Sequence, residues 1–145
     1  MLTAEYGDPS ALRNGIDRRI QGNDNGYYGV INKAITYTFT EKKKISGFRL
    51  VVDSDLDREF IEGNPDLMHI SMPLFRARAY NNTSFGFPKC MLKSFRIEAL
   101  EDSGNWVTVY EENDNYQRLI RKKLDITTKA IRLIPKTLLP SSIYK

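Results

Sequence analysis

The alternation of apolar and polar positions is clearest between Leu92 and Ile134. In Leu92–Leu100, Phe95, Ile97 and Ala99 alternate with Ser94, Arg96 and Glu98, the period of two expected of a strand with one face in a core and the other in water. Glu101-Asp102-Ser103-Gly104-Asn105 supplies turn residues. Beyond it, Trp106, Thr108 and Tyr110 share one face of a second strand, with Val107 and Val109 on the other. Asn115-Tyr116-Gln117-Arg118 and Ala130–Ile134 continue the pattern, which predicts an antiparallel meander of three or four strands. Upstream, Ile35, Tyr37 and Phe39 alternate with threonines as a half-buried strand. Lys42-Lys43-Lys44 reads as a solvated turn. The run from Ile45 to Leu56 then gives another strand, with Phe48, Leu50 and Val52 facing inward and Asp53, Asp55 and Asp57 on the opposite face.

The remaining segments are rich in breakers. Residues 1–34 hold Asp8-Pro9, Asn14-Gly15 and Gly22-Asn23-Asp24-Asn25-Gly26, which leaves room for a helical turn or two only between Ser10 and Ile20. Leu12, Ile16 and Ile20 are spaced to pin this opening onto the rest by one face. Residues 58–88 read as a long excursion, with a short strand at Met68–Pro73 and either strand or helical turn at Arg76–Tyr80. After Ile134 the run from Pro135 to Ser142 is expected to be extended or irregular. Many short strands and frequent turns predict an all-β fold, an antiparallel β-sandwich of the jelly-roll kind with a loop-rich N-terminal segment.

Composition narrows the classes. With 145 residues, 41% hydrophobic and 28% charged, the chain is one domain's worth and has an ordinary globular balance. No stretch approaches the ~20 apolar residues of a membrane helix. Net charge is +4, a mild excess with its cations dispersed. Arg121-Lys122-Lys123 falls on a strand or its edge, where basic residues discourage edge-to-edge association. Aromatics are not interleaved with the basic residues as a nucleic-acid surface requires, so neither nucleic acid nor a membrane is an expected partner.

The chain has one cysteine, Cys90, and one histidine, His69. Sites built from several imidazole or thiolate ligands therefore cannot be assembled, and Cys90 reads as a small packed residue. The nucleophile elbow and the nucleotide-binding glycine loops are absent. A hydrolase using His69 and a serine has no particular serine to mark it. Asp53-Ser54-Asp55-Leu56-Asp57 invites comparison with a calcium loop, but Arg58 stands where that loop needs glycine and Asn64 where it needs glutamate. These carboxylates read as partners of Arg58 and caps of loop amides, with an ion site as the alternative. Tyr27 and Tyr28 beside Asn23, and Tyr116 beside Asn115 and Arg118, have the composition of a sugar site, in which an aromatic plane meets the C–H face of the ring and polar groups take the hydroxyls. The competing reading is that the tyrosines plug the ends of a sandwich.

The order of Pro9–Asp17, Ile35–Phe39, Val52–Arg58, Lys93–Glu98, Trp106 and Asn115–Arg118 resembles the C-terminal β-sandwich of a bacterial family of FAD-dependent oxidoreductases. It is similar, more distantly, to discoidin or galactose-binding-like jelly rolls. Asp-Ser-Asp-Leu-Asp-Arg and Asn-Tyr-Gln-Arg are the most specific runs. The resemblance implies a non-catalytic accessory module, a fragment or C-terminal part of a larger protein, whose partner is the catalytic portion. FAD is implied only for that parent enzyme and no cofactor for these residues. A free-standing carbohydrate-binding module is the alternative. Two departures stand out: Tyr28 replaces a tryptophan of the family, and the family continues past the equivalent of Ile134 into a further closing strand. Here the chain ends at Lys145, so either the chain is a fragment or Leu138 to Tyr144 closes the sandwich differently, and a sheet edge at the last strand is expected to be exposed.

Overall fold

The computed structural model describes residues 1–17, 25–53 and 91–139. Within them lie five strands: β1 (Leu2–Ala4), β2 (Ile35–Val51), β3 (Leu92–Leu100), β4 (Trp106–Glu112) and β5 (Leu119–Leu138). They form one antiparallel sheet in the order β1-β2-β5-β3-β4. A single turn of 3-10 helix at Ser10–Arg13 follows β1, and no α-helix occurs among the described residues.

The order departs from a simple meander. β3 and β4 form a hairpin, but β5 does not lie next to β4; it crosses back and inserts between β2 and β3. It is twenty residues long and forms ladders on both edges, pairing along β2 and, through Ala99↔Ile131 to Leu92↔Leu138, along β3. The part of β5 that carries Ile134 is therefore interior, whereas its first half pairs only with β2 among the described residues. The expected exposed edge at Ile134 is corrected accordingly. Pro135–Leu138 continues β5 rather than becoming irregular. Pro135 sits opposite Phe95 at a register shift, a place where a missing N–H is tolerated.

The lysine turn is also corrected. β2 runs unbroken for seventeen residues through Lys42-Lys43-Lys44 because β5 continues alongside it, pairing Lys43↔Thr128 and Lys44↔Thr127. Lys42 reaches Asp102 at 2.6 Å and Lys44 reaches Asp125 at 3.0 Å, so the charges point outward while the backbone stays in the ladder. The β2–β5 ribbon bends between Ile45↔Ile126 and Gly47↔Lys123, where the register shifts. Gly47 stands at this corner, and a Cβ there would lie 2.6 Å from the Lys122 carbonyl oxygen.

Beyond the corner, the ribbon packs on the apolar face of β3 and β4. The Phe48 ring stands edge-on to Phe95 at 6.3 Å and to Tyr110 at 5.2 Å. Val52, Met91, Leu92, Phe95, Ile97, Ile120 and Leu139 form the buried cluster, with Phe95 at 0% exposure. The inward assignments of Phe48, Leu50, Val52, Phe95, Ile97 and Ala99 hold. β4 differs from expectation because a bulge separates Ile97↔Tyr110 from Glu98↔Thr108. One extra residue, Val109, moves Tyr110 to the core face, away from Trp106.

The polar side of β3 is not solvated. Glu98 is 4% exposed, with Arg132 Nε and Arg96 Nε each 2.6 Å away. The Arg96 contact is an ion pair without hydrogen-bond alignment, while the Arg132 guanidinium lies 4.3 Å above the Trp106 ring. Ser94 is buried too, its hydroxyl 2.6 Å from that of Thr137. In the opening segment, Leu12 and Ile16 are exposed rather than pinned inward. The segment is held instead by polar contacts: Arg13 over the Tyr37 ring and the Asp17 carboxylate 2.8 Å from Arg49.

Candidate functional site

The crossover from β4 to β5 borders an open cleft. β4 ends at Glu112, and the chain must pass the start of β3 to reach the other side of the sheet. Asn115 fastens it there. Its N–H donates to the Lys93 carbonyl at 2.9 Å, and its Nδ2 donates to the carbonyls of Leu92 at 2.8 Å and Gln117 at 3.0 Å. Its Oδ1 accepts from the Gln117 N–H at 2.9 Å. With the side chain 5% exposed, asparagine provides both donor and acceptor where an apolar residue would leave three backbone groups unmatched. Asn115–Arg118 is therefore a loop tied to β3, not the strand expected from sequence.

This tie raises Tyr116 to the surface, 42% exposed, with Lys93 Nζ 5.7 Å from its ring centre. The cleft beneath has a volume of about 220 Å³ and is walled by Glu112, Asp114, Asn115, Tyr116, Gln117, Ile120 and Lys122. The Tyr110 hydroxyl donates to Glu112 at 2.7 Å. Burial, reinforced by this bond and the Glu112 charge, pushes the Tyr110 phenol up to about 12. The same bond holds the Glu112 carboxyl below its ordinary value, helped by backbone N–H groups and Lys122. Lys122 extends over the Tyr110 ring at 5.5 Å. Asp114 lies 3.3 Å from Lys93, a bond that, with Tyr116, raises the lysine's pKa. The walls thus offer two carboxylates, one ammonium group, two amides and an aromatic ring. Such walls can accept and donate hydrogen bonds to a polyhydroxylated ligand without demanding that it carry charge.

Of the site residues expected from sequence, Asn115 and Tyr116 are part of this cleft. Arg118 lies just beyond, its guanidinium donating to the Asp17 carbonyl and its own carbonyl accepting from the Val52 N–H at 2.8 Å. That ladder brings the exposed Asp53 to the same end of the ribbon. Tyr27 and Tyr28 sit beside the end of β1. Tyr27 donates to the Tyr6 carbonyl and lies so close over Gly29 that a Cβ there would be 2.6 Å from its ring. Burial raises its phenol. Tyr28 projects outward at 72% exposure. Asn23, Asp55, Asp57 and Arg58, with His69 and Cys90, lie outside the described residues. Among the described residues, no group of three His, Cys, Asp or Glu side chains is placed to hold a metal.

Glu112, Asp114, Gln117, Lys93 and Lys122 were not singled out from sequence. Two signals point to them in retrospect. Alternation along β5 puts Lys122 on the face of buried Ile120, and Tyr110-x-Glu112 spaces a phenol and a carboxylate two residues apart along one strand.

No family model matches the chain, and no curated protein matches it. Among solved structures, it is similar to the family 32 carbohydrate-binding module from Streptococcus pneumoniae EndoD. The TM-score is 0.61 at 12% identity, covering 99% of this chain and 88% of that one. At this identity the likeness establishes the fold alone: an all-β, galactose-binding-like antiparallel sandwich.

Proposed function

We propose that this chain is a non-catalytic, carbohydrate-binding accessory module whose ligand site is the Tyr116 cleft. The observation that carries the reading is a half-exposed tyrosine at the rim of a cleft of about 220 Å³ walled by two carboxylates, two amides and Lys122. This is smaller than the ~300–1,000 Å³ of sites for larger ligands and suits one or two sugar rings. Stacking on Tyr116 would take the apolar ring face, and Glu112, Asp114 and Gln117 would take the hydroxyls. The fold shared with a carbohydrate-binding module supports the reading, although sandwiches host many functions. Asn115 then acts as a positioning residue, fixing the loop without touching ligand.

In this reading the catalytic work belongs to another part of a parent protein, on which the module packs or which it brings to a polymer. The sequence resemblance implies an FAD-dependent oxidoreductase as that parent. In that case FAD would belong to the parent enzyme.

A glycan array probed with the purified chain tests the proposal. The expected result is binding to a defined subset of neutral glycans that Tyr116→Ala abolishes and Tyr28→Ala preserves. Absence of binding to any glycan at millimolar concentration would contradict it.

A further inference from the structure

Alternation across the outer part of the β2–β5 ribbon separates two surfaces. Phe48↔Lys122 and Leu50↔Ile120 face the core and the cleft, so Arg49↔Arg121, Gly47↔Lys123 and Val51↔Leu119 face outward. Arg49 and Arg121 are directly opposed, an arrangement of like charges that destabilises a sheet unless negative charge relieves it. Arg49 is relieved by Asp17 at 2.8 Å. Arg121 and Lys123 are exposed and have no ion-pair partner among the described residues. Lys123 stands opposite Gly47 in the register, on the same outward face as Arg121. Among the described residues, Asp17 is engaged with Arg49, Asp53 stands at the ribbon's end, and Asp125 is drawn to Lys44 at 3.0 Å.

We propose that this outer ribbon face, at Arg49, Arg121 and Lys123, is a docking strip for the carboxylate or sulfate groups of an acidic polysaccharide. The Arg121 guanidinium suits planar, bidentate recognition of such oxyanions, and Lys123 adds a second exposed positive charge. The strip lies on the reverse of the same β5 segment whose Ile120 and Lys122 line the cleft. Its charge complements an anionic polymer, and the choice of a saccharide over other polyanions rests on the module reading above.

Affinity electrophoresis of the full chain in gels containing polygalacturonate, dextran sulfate or a neutral polysaccharide tests the strip. Retardation by the carboxylated gel, the sulfated gel or both, fading in ~1 M salt as screening becomes complete, is the expected result and tells the two oxyanions apart. Arg121→Glu should weaken retardation roughly tenfold, whereas Lys129→Glu, the same charge change at an exposed site further along β5, should change it less than about twofold. Near-UV circular dichroism verifies that both variants fold. Equal weakening by both substitutions, no retardation by either acidic polymer, or tighter binding of a single-stranded oligonucleotide or of anionic vesicles would overturn the proposal. Tyr116→Ala should leave retardation intact, so retention of acidic binding without any neutral-glycan binding would remove the cleft reading while the strip stands.

Discussion

Asn115 carries more of the site than its place in a turn-like run suggests. Replacing it with alanine leaves the carbonyls of Leu92 and Gln117 and the Gln117 N–H without their side-chain partner. At ~1–3 kcal/mol for each buried group that cannot recover a partner, Asn115→Ala should lower unfolding free energy by about 2–3 kcal/mol, readable as a shifted urea midpoint with unchanged slope. The Tyr110–Glu112 pair sets pH limits. Tyr110 has a raised pKa, so its contribution is full below the ordinary phenol value of 10.0 and is lost as pH climbs through about 12. An ultraviolet titration should show one tyrosine ionising near 12 that disappears in Tyr110→Phe; ionisation of every tyrosine near the ordinary value would refute the bond. Glu112 has a lowered pKa, so its contribution holds above the ordinary carboxylate value and is lost as pH falls through the depressed one. Sequence named Asn115 and Tyr116 as polar and aromatic neighbours. It could not show that the first is buried and the second raised, because that difference comes from contact with Leu92 and Lys93, more than twenty positions away.

At the scale of elements, periodicity succeeded where a strand had one covered face and no irregularity. The inward faces of β3 and of Phe48–Val52 follow directly. It failed where one extra residue or a charged stretch intervened. The bulge at Val109 reverses the side chains that follow it, which no alternation read from Trp106 can foresee. Lys42-Lys43-Lys44 looked like a turn because lysines are poor strand formers, yet a continuous partner strand overrides that preference. Glu98 was expected in water because its flanking pattern is polar, whereas it is buried and paired with Arg96 and with Arg132, the latter distant in sequence. The corner at Gly47 gives an element-scale prediction. Gly47→Ala places a methyl group against the Lys122 backbone and should destabilise by about 1–3 kcal/mol. Its thermal midpoint should fall clearly, while Gly104→Ala, with open space around its Cβ but a positive φ of 87°, should cost only about 1 kcal/mol.

For the whole molecule, the all-β class was legible from strand count and turn spacing, but strand order was not. A meander and a crossover share the same local pattern, and only the length of β5, which pairs with both β2 and β3, reveals which one forms. Interiority of β5 also changes what the final strand does: it joins two halves of the sheet rather than leaving an edge. Phe95 lies where those halves meet, and Phe95→Ala should cost ~3–5 kcal/mol of stability, measured by chemical denaturation. The expected family resemblance led to the right architecture, which the carbohydrate-binding-module neighbour establishes independently.

The central claim, that the β4–β5 crossover is a sugar site, is tested most directly by backbone chemical-shift mapping of the isotope-labelled chain titrated with a glycan selected from the array. The account predicts saturable shifts confined to Glu112–Lys122 and neighbouring Lys93, lost in Tyr116→Ala. Shifts centred on Tyr28 and Tyr6, or none at millimolar glycan, would contradict it.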